Sequence, residues 1–131
     1  MPNLSLDHYA AEAAVRVALR EFAARTDRIA RTHELTAERY ELLLLIRVAA
    51  EGEATVGKLA QQLHIGQSAA TQLARRVEDA GLIERTVSPT DARVHPLRLT
   101  AEGERRLAAA AADLAKERTA LVDSVMTDLR R

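Results

Sequence analysis

Residues 84–103, "ERTVSPTDARVHPLRLTAEG", decide how this chain folds. Strand candidates over 82–87 and 94–100 flank a polar turn that holds Pro89, Asp91 and Arg93. In the second run His95, Leu97 and Leu99 share one side while Val94, Pro96 and Arg98 share the other, the alternation of an extended strand. Pro96 has no N–H to give a ladder, which confines it to an edge position. A hairpin of two or three strands fits here; a larger sheet does not. Asp91 and Arg93 then stand at its tip.

Working outward, the preceding segment "TVGKLAQQLHIGQSAATQLARRVEDAGLIER" splits into two helices. Thr55 caps the first, which places Val56, Leu59, Ala60 and Leu63 on one face. His64–Gly66 makes the turn, with Ile65 buried and Gly66 capping the next helix. That helix runs from Gln67 to about Ala80, turns Ala70, Leu73, Ala74 and Val77 inward, and stops at Gly81.

Farther upstream, Thr36 is the expected N-cap of a helix that Gly52 ends. Its run Leu42–Ile46 is apolar all round, which predicts a central, buried element. Residues 6 to about 31 carry Val15, Leu19, Phe22, Thr26 and Ile29 on one face of a long amphipathic helix. Downstream, 101–130 reads as another long helix, with Leu107, Leu114 and Leu121 recurring every seven residues as a seam. The expected class is mainly α with a small β-hairpin, in one domain of 131 residues.

Composition removes several functions. Cysteine is absent, so there is no disulfide, thiolate metal site or thiol switch. His8, His33, His64 and His95 lack close metal spacing, and no metal or other cofactor is expected. The glycines stand singly rather than in a phosphate-cradling loop, and no nucleophile–base arrangement appears, so no catalytic residue is assigned and an enzyme is not expected. With no signal peptide and no membrane-length apolar run, a soluble cytoplasmic protein is expected.

The formal charge is zero, but it is unevenly spread. Residues 55–100 hold Lys58, Arg75, Arg76, Arg85, Arg93 and Arg98 against Glu78, Asp79, Glu84 and Asp91. The excess of +2 follows from six bases and four acids, while residues 1–54 carry −2, from seven arginines and nine acids.

A short helix, a tight turn and a second helix predict helix-turn-helix geometry, with the second helix entering a DNA major groove. Its exposed early positions are Gln67, Ser68, Ala69, Thr71 and Gln72, with Arg75 and Arg76 a turn further on. Glutamine can pair bidentately with adenine, serine and threonine serve bases or phosphates, and Ala69 can meet a thymine methyl. The hairpin then acts as a wing that puts Arg93 into the neighbouring minor groove, where negative potential concentrates. Asp91 is suited to orient Arg93 through a charge-assisted hydrogen bond.

Residues 35–107 resemble the MarR family of winged helix-turn-helix regulators. The most specific element is Asp91-x-Arg93 followed by Leu99-Thr100-x-x-Gly103, and "VEDAGLIER" upstream fits the end of the recognition helix and the first wing strand. The resemblance implies a homodimer joined by its first and last helices (1–34 and 104–131), with 35–103 as the DNA-binding lobe. It implies a pseudo-palindromic double-stranded operator, usually repressed, and release by a small aromatic or anionic effector bound between dimer region and lobe. Tyr40, Arg16 and Arg47 could line such a cleft, though packing or solvent exposure explains each equally well. Gln67 and Gln72 stand where many relatives carry basic residues, so the base preference does not transfer. The rival expectation is a winged-helix module for protein–protein assembly without specific DNA binding.

Overall fold

The computed structural model describes residues 1–130 as five helices and one two-stranded antiparallel sheet. Contacts divide the chain into two compact units, residues 38–110 and a second formed by 1–37 with 111–131.

The unit of residues 38–110 contains α2 (Ala37–Val48, apart from its first residue), α3 (Val56–Leu63), α4 (Gln67–Asp79), β1 (Ile83–Arg85) and β2 (Leu97–Leu99). It ends with the first turns of α5 (Ala101–Leu129). Its core is Leu42, Leu43, Ile46, Leu59, Leu73, Val77, Leu82, Ile83, Leu97 and Leu107, all buried. Burying each such side chain contributes about 1.5–3 kcal/mol relative to exposure, which fixes the faces of these short elements.

In α2 only part of the apolar run is inside. Leu42, Leu43 and Ile46 are buried, Leu45 is half-buried and Leu44 is 39% exposed. A run without polar residues has no phase, and one helix of this small lobe has a solvent side. The helix also ends at Val48, before the expected stop. Gly52 instead serves the turn that follows, at φ +78°, a conformation costly for residues with a Cβ.

The helix-turn-helix forms as its caps predict. Thr55 Oγ1 accepts the Lys58 amide at 3.3 Å, and His64 closes α3 in the left-handed region at φ 55°. Ile65 is half-buried rather than buried. Gly66 precedes α4, whose Ala70, Leu73, Ala74 and Val77 all face the core.

The strands are shorter than 82–87 and 94–100. Three residue pairs form the ladder, Ile83 with Leu99, Glu84 with Arg98 and Arg85 with Leu97. Beyond it Pro96 breaks the regular alternation and is itself buried, its carbonyl accepting both the Thr86 amide and hydroxyl. On its other edge β2 is tied to the loop before α3, because the Leu97 amide donates to the Ala54 carbonyl at 2.9 Å.

The other unit contains α1 (Leu6–Arg31) and the rest of α5. Thr26, Ala30, Leu35 and Leu114 are buried within it. Of the expected α1 stripe, Val15, Phe22 and Ile29 are half-buried and Leu19 is exposed. His33 Nε2 meets Asp113 Oδ2 at 2.6 Å, and Arg25 faces Glu117 at 3.6 Å. The first amide of α2, Ala37, is satisfied at 2.9 Å by Asp27 Oδ1. That hydrogen bond, with Arg31 beside it, holds the Asp27 carboxyl below the usual aspartate range. Along α5, Leu107 and Leu114 are buried while Leu121 is half-buried.

Candidate nucleic-acid interface

On α4 the inward period consumes Ala70, Leu73, Ala74 and Val77, and the remaining positions form its outer face. Gln67, Ser68, Ala69, Gln72, Arg75 and Arg76 are exposed, and Thr71 is half-buried. Thr71 Oγ1 donates to the Gln67 carbonyl at 2.9 Å, a bond that occupies its proton and leaves lone pairs.

The basic residues of this lobe divide by their partners. Lys58 pairs with Glu53, Arg98 with Glu84 across the strands at 2.7 Å, and Arg85 with Glu78 at 3.5 Å. Spacing alone leaves open the pairing of Arg75 with Glu78 or of Arg76 with Asp79. Glu78 turns instead to Arg85, and neither Arg75 nor Arg76 forms an ion pair with another of the described residues. Two exposed guanidiniums on one helix thus keep their donors for another acceptor.

The wing tip is built from side chains bonding to backbone. Ser88 Oγ accepts the Thr90 and Asp91 amides at 3.3 and 3.2 Å. Asp91 Oδ1 then accepts the Arg93 amide at 3.0 Å and the Arg93 Nε at 3.3 Å. Those two bonds, the backbone one first, hold the Asp91 carboxyl below its ordinary range. Arg93 is tethered through Nε while its side chain stays 91% exposed, so its terminal amino groups project outward. Asp91 and Arg93 are therefore adjacent and coupled.

The wing is anchored at Gly103. Thr100 Oγ1 donates to the Gly81 carbonyl at 2.6 Å and accepts the Gly103 amide at 3.1 Å. It caps α5 and clips that helix to the end of α4. The Glu84–Arg98 pair, facing each other in register, is a further brace that sequence spacing alone does not single out. Knowledge of the register would have found it.

Of the residues considered for an effector cleft, Arg16 pairs with Glu12 on its own helix and Arg47 with Glu104. Tyr40 is 9% exposed. Among the described residues no cluster of three metal-ligating side chains occurs, and no helix is long and apolar enough to cross a membrane.

Residues 35–95 match the MarR family model. A solved MarR family transcription regulator is 28% identical, with a TM-score of 0.76, over 88% of this chain and 75% of its own. The M. tuberculosis transcriptional regulator MosR, solved in complex with DNA, is 26% identical with a TM-score of 0.63, over 82% of this chain and 75% of its own. CouR from Rhodococcus jostii RHA1, solved with p-coumaroyl-CoA, is 24% identical with a TM-score of 0.72, over 84% of this chain and 79% of its own. No curated protein matches the chain.

Proposed function

We propose that this chain, whose residues 35–95 match the MarR family model, is a DNA-binding transcription regulator of that family and acts as a homodimeric repressor on a pseudo-palindromic operator. In this reading α4 enters the major groove from its Gln67 end. Gln67, Ser68, Ala69, Thr71 and Gln72 meet base edges or nearby phosphates, Arg75 and Arg76 meet the backbone, and Arg93 enters the adjacent minor groove.

The observation that carries this reading is the state of the arginines. Arg93 is held by Asp91 yet almost wholly exposed, and Arg75 and Arg76 stand exposed without an ion pair among the described residues. Near-neutral total charge does not oppose it, because Glu78 and Glu84, two of the four acids of residues 55–100, are already engaged by Arg85 and Arg98.

Dimerisation through the first and last helices is supported by exposed apolar side chains on both. Leu6, Tyr9, Val17 and Leu19 on α1 and Val122, Met126 and Leu129 on α5 are exposed, the residue types a partner helix would cover. A symmetric dimer would present two α4 helices roughly 34 Å apart, one turn of DNA. A small aromatic or anionic effector that prefers a non-binding dimer would release the operator. The ligand solved with CouR supports an effector with an aromatic acyl group.

The test is fluorescence anisotropy with DNA from upstream of the protein's own gene, beside scrambled DNA of equal length, at two salt concentrations. Tight, sequence-dependent, salt-sensitive binding supports the regulator. Binding no stronger than to scrambled DNA, on this and a genome-wide set of fragments, would favour the protein–protein module.

A further inference from the structure

His95, two residues beyond Arg93 on the returning arm of the wing, is exposed and makes a bond that settles which ring nitrogen carries its proton. Its Nδ1 lies 3.3 Å from the Thr86 carbonyl oxygen. A carbonyl only accepts, so Nδ1 is the donor, and in the neutral ring Nε2 is left with a lone pair directed away from that carbonyl. The Thr86 amide bonds to the Pro96 carbonyl and the Ser88 amide to the Val94 carbonyl, which sets Val87 opposite His95. Val87 is itself exposed, so this end of the wing stem is open to solvent.

The charged groups beside His95 are already committed to one another. Asp91 holds Arg93 at the tip, Glu84 on β1 pairs with Arg98 on β2 at 2.7 Å, and Arg85 turns to Glu78. Among the described residues no carboxylate forms an ion pair with His95, Glu51 of the loop bordering Pro89 included. A proton on Nε2 therefore finds arginines nearby and no free anion. Histidine is the side chain whose charge changes between about pH 5 and 8, so an anion brought from outside can decide its state.

We propose that His95 is a second DNA contact of the wing and binds as the imidazolium, keeping Nδ1–H on Thr86 and giving Nε2–H to a backbone phosphate beside the groove that takes Arg93. The contact rests on the DNA-binding reading. A neutral His95 aims a lone pair at the phosphate, whereas the imidazolium gives it a charge-assisted hydrogen bond. The complex then holds the proton more tightly than the free chain does. By linkage, binding takes up protons and affinity rises as pH falls from 8 to 6.

The probe is the best-bound fragment of the anisotropy screen, titrated at pH 8.0 and 6.0 and one salt concentration with the parent, His95→Gln and His95→Arg. The ratio of parent to His95→Gln affinity should grow about threefold or more between pH 8.0 and 6.0. His95→Arg, cationic throughout, should match or exceed the parent at pH 8.0 and keep a constant ratio to His95→Gln. His64, exposed in the turn before α4, is common to all three proteins and cancels in these ratios. Calorimetry at pH 7.0 in buffers of different ionisation enthalpy should find more proton uptake by the parent than by His95→Gln. A parent-to-Gln ratio equal at both pH values, or equal proton uptake, would overturn the contact while the binding itself upholds the DNA reading. No binding to any fragment by all three proteins would overturn both.

Discussion

Gly103 lies so close under Leu82 that a Cβ on residue 103 would stand 2.0 Å from the Leu82 carbonyl oxygen and 3.0 Å from its carbon. The obstacle is backbone, which cannot swing aside as a side chain would. Gly103→Ala therefore forces the start of α5 away from the strand that follows α4, and should destabilise by about 3 kcal/mol. Urea unfolding checks this; a midpoint within error of the parent would contradict the close approach.

Thr26 presents the opposite case. Its Oγ1 is buried on α1 without a hydrogen-bond partner among the described residues. Valine has nearly the same shape and no hydroxyl to desolvate, so Thr26→Val should stabilise by about 1 kcal/mol. Thermal unfolding at fixed protein concentration would show the rise, and a fall would mean that the hydroxyl is satisfied.

At the wing, Arg93→Ala should weaken operator binding roughly tenfold or more while leaving the unfolding midpoint unchanged, since the side chain buries almost nothing. Unchanged affinity would remove the minor-groove assignment.

The Asp91–Arg93 bonds set a pH window. The folded-state carboxyl titrates below its ordinary value of 3.8, so the ordering it provides is fully present above that value and is lost as pH falls through the lower folded value. The Arg93 amide resonance should accordingly hold its position from pH 8 to about 5 and move only below about 4. Movement near neutrality would exclude Asp91 as its acceptor.

Arg75→Ala and Arg76→Ala, taken singly, are expected to weaken specific and scrambled DNA to similar degrees. Each should reduce the slope of log affinity against log salt by about 0.9 for every phosphate it no longer neutralises. Gln67→Ala should instead narrow the gap between operator and scrambled DNA with little change of slope. A slope identical to the parent in both arginine variants would place them off the backbone.

Much of this architecture was legible because the sequence states its own phase. Ala70, Leu73, Ala74 and Val77 recur at helical spacing, and α4 turns all four inward between Gly66 and Gly81. Thr55 was readable as a cap for the same local reason. What escaped depended on partners distant in sequence. The start of α2 directly after Thr36 was readable, but the acceptor of its first amide was not: Asp27, ten residues before Ala37, takes that hydrogen bond. Glu78 was open to Arg75 by spacing and goes to Arg85 on β1 instead. The Leu42–Ile46 run marked a core helix but could not say that Leu44 faces outward. The polar face of α4 was readable as a face; any base its side chains would meet in the proposed complex depends on the DNA, and spacing does not contain it.

The wing tip carries a last consequence. Ser88 and Asp91 bind three backbone amides between residues 90 and 93, so this turn is folded before any partner arrives. A disordered arm would surrender its conformational freedom on docking, at roughly 1–2 kcal/mol per residue. This turn has already surrendered most of that freedom during folding, and calorimetry of DNA binding should find a correspondingly small entropic penalty from the wing.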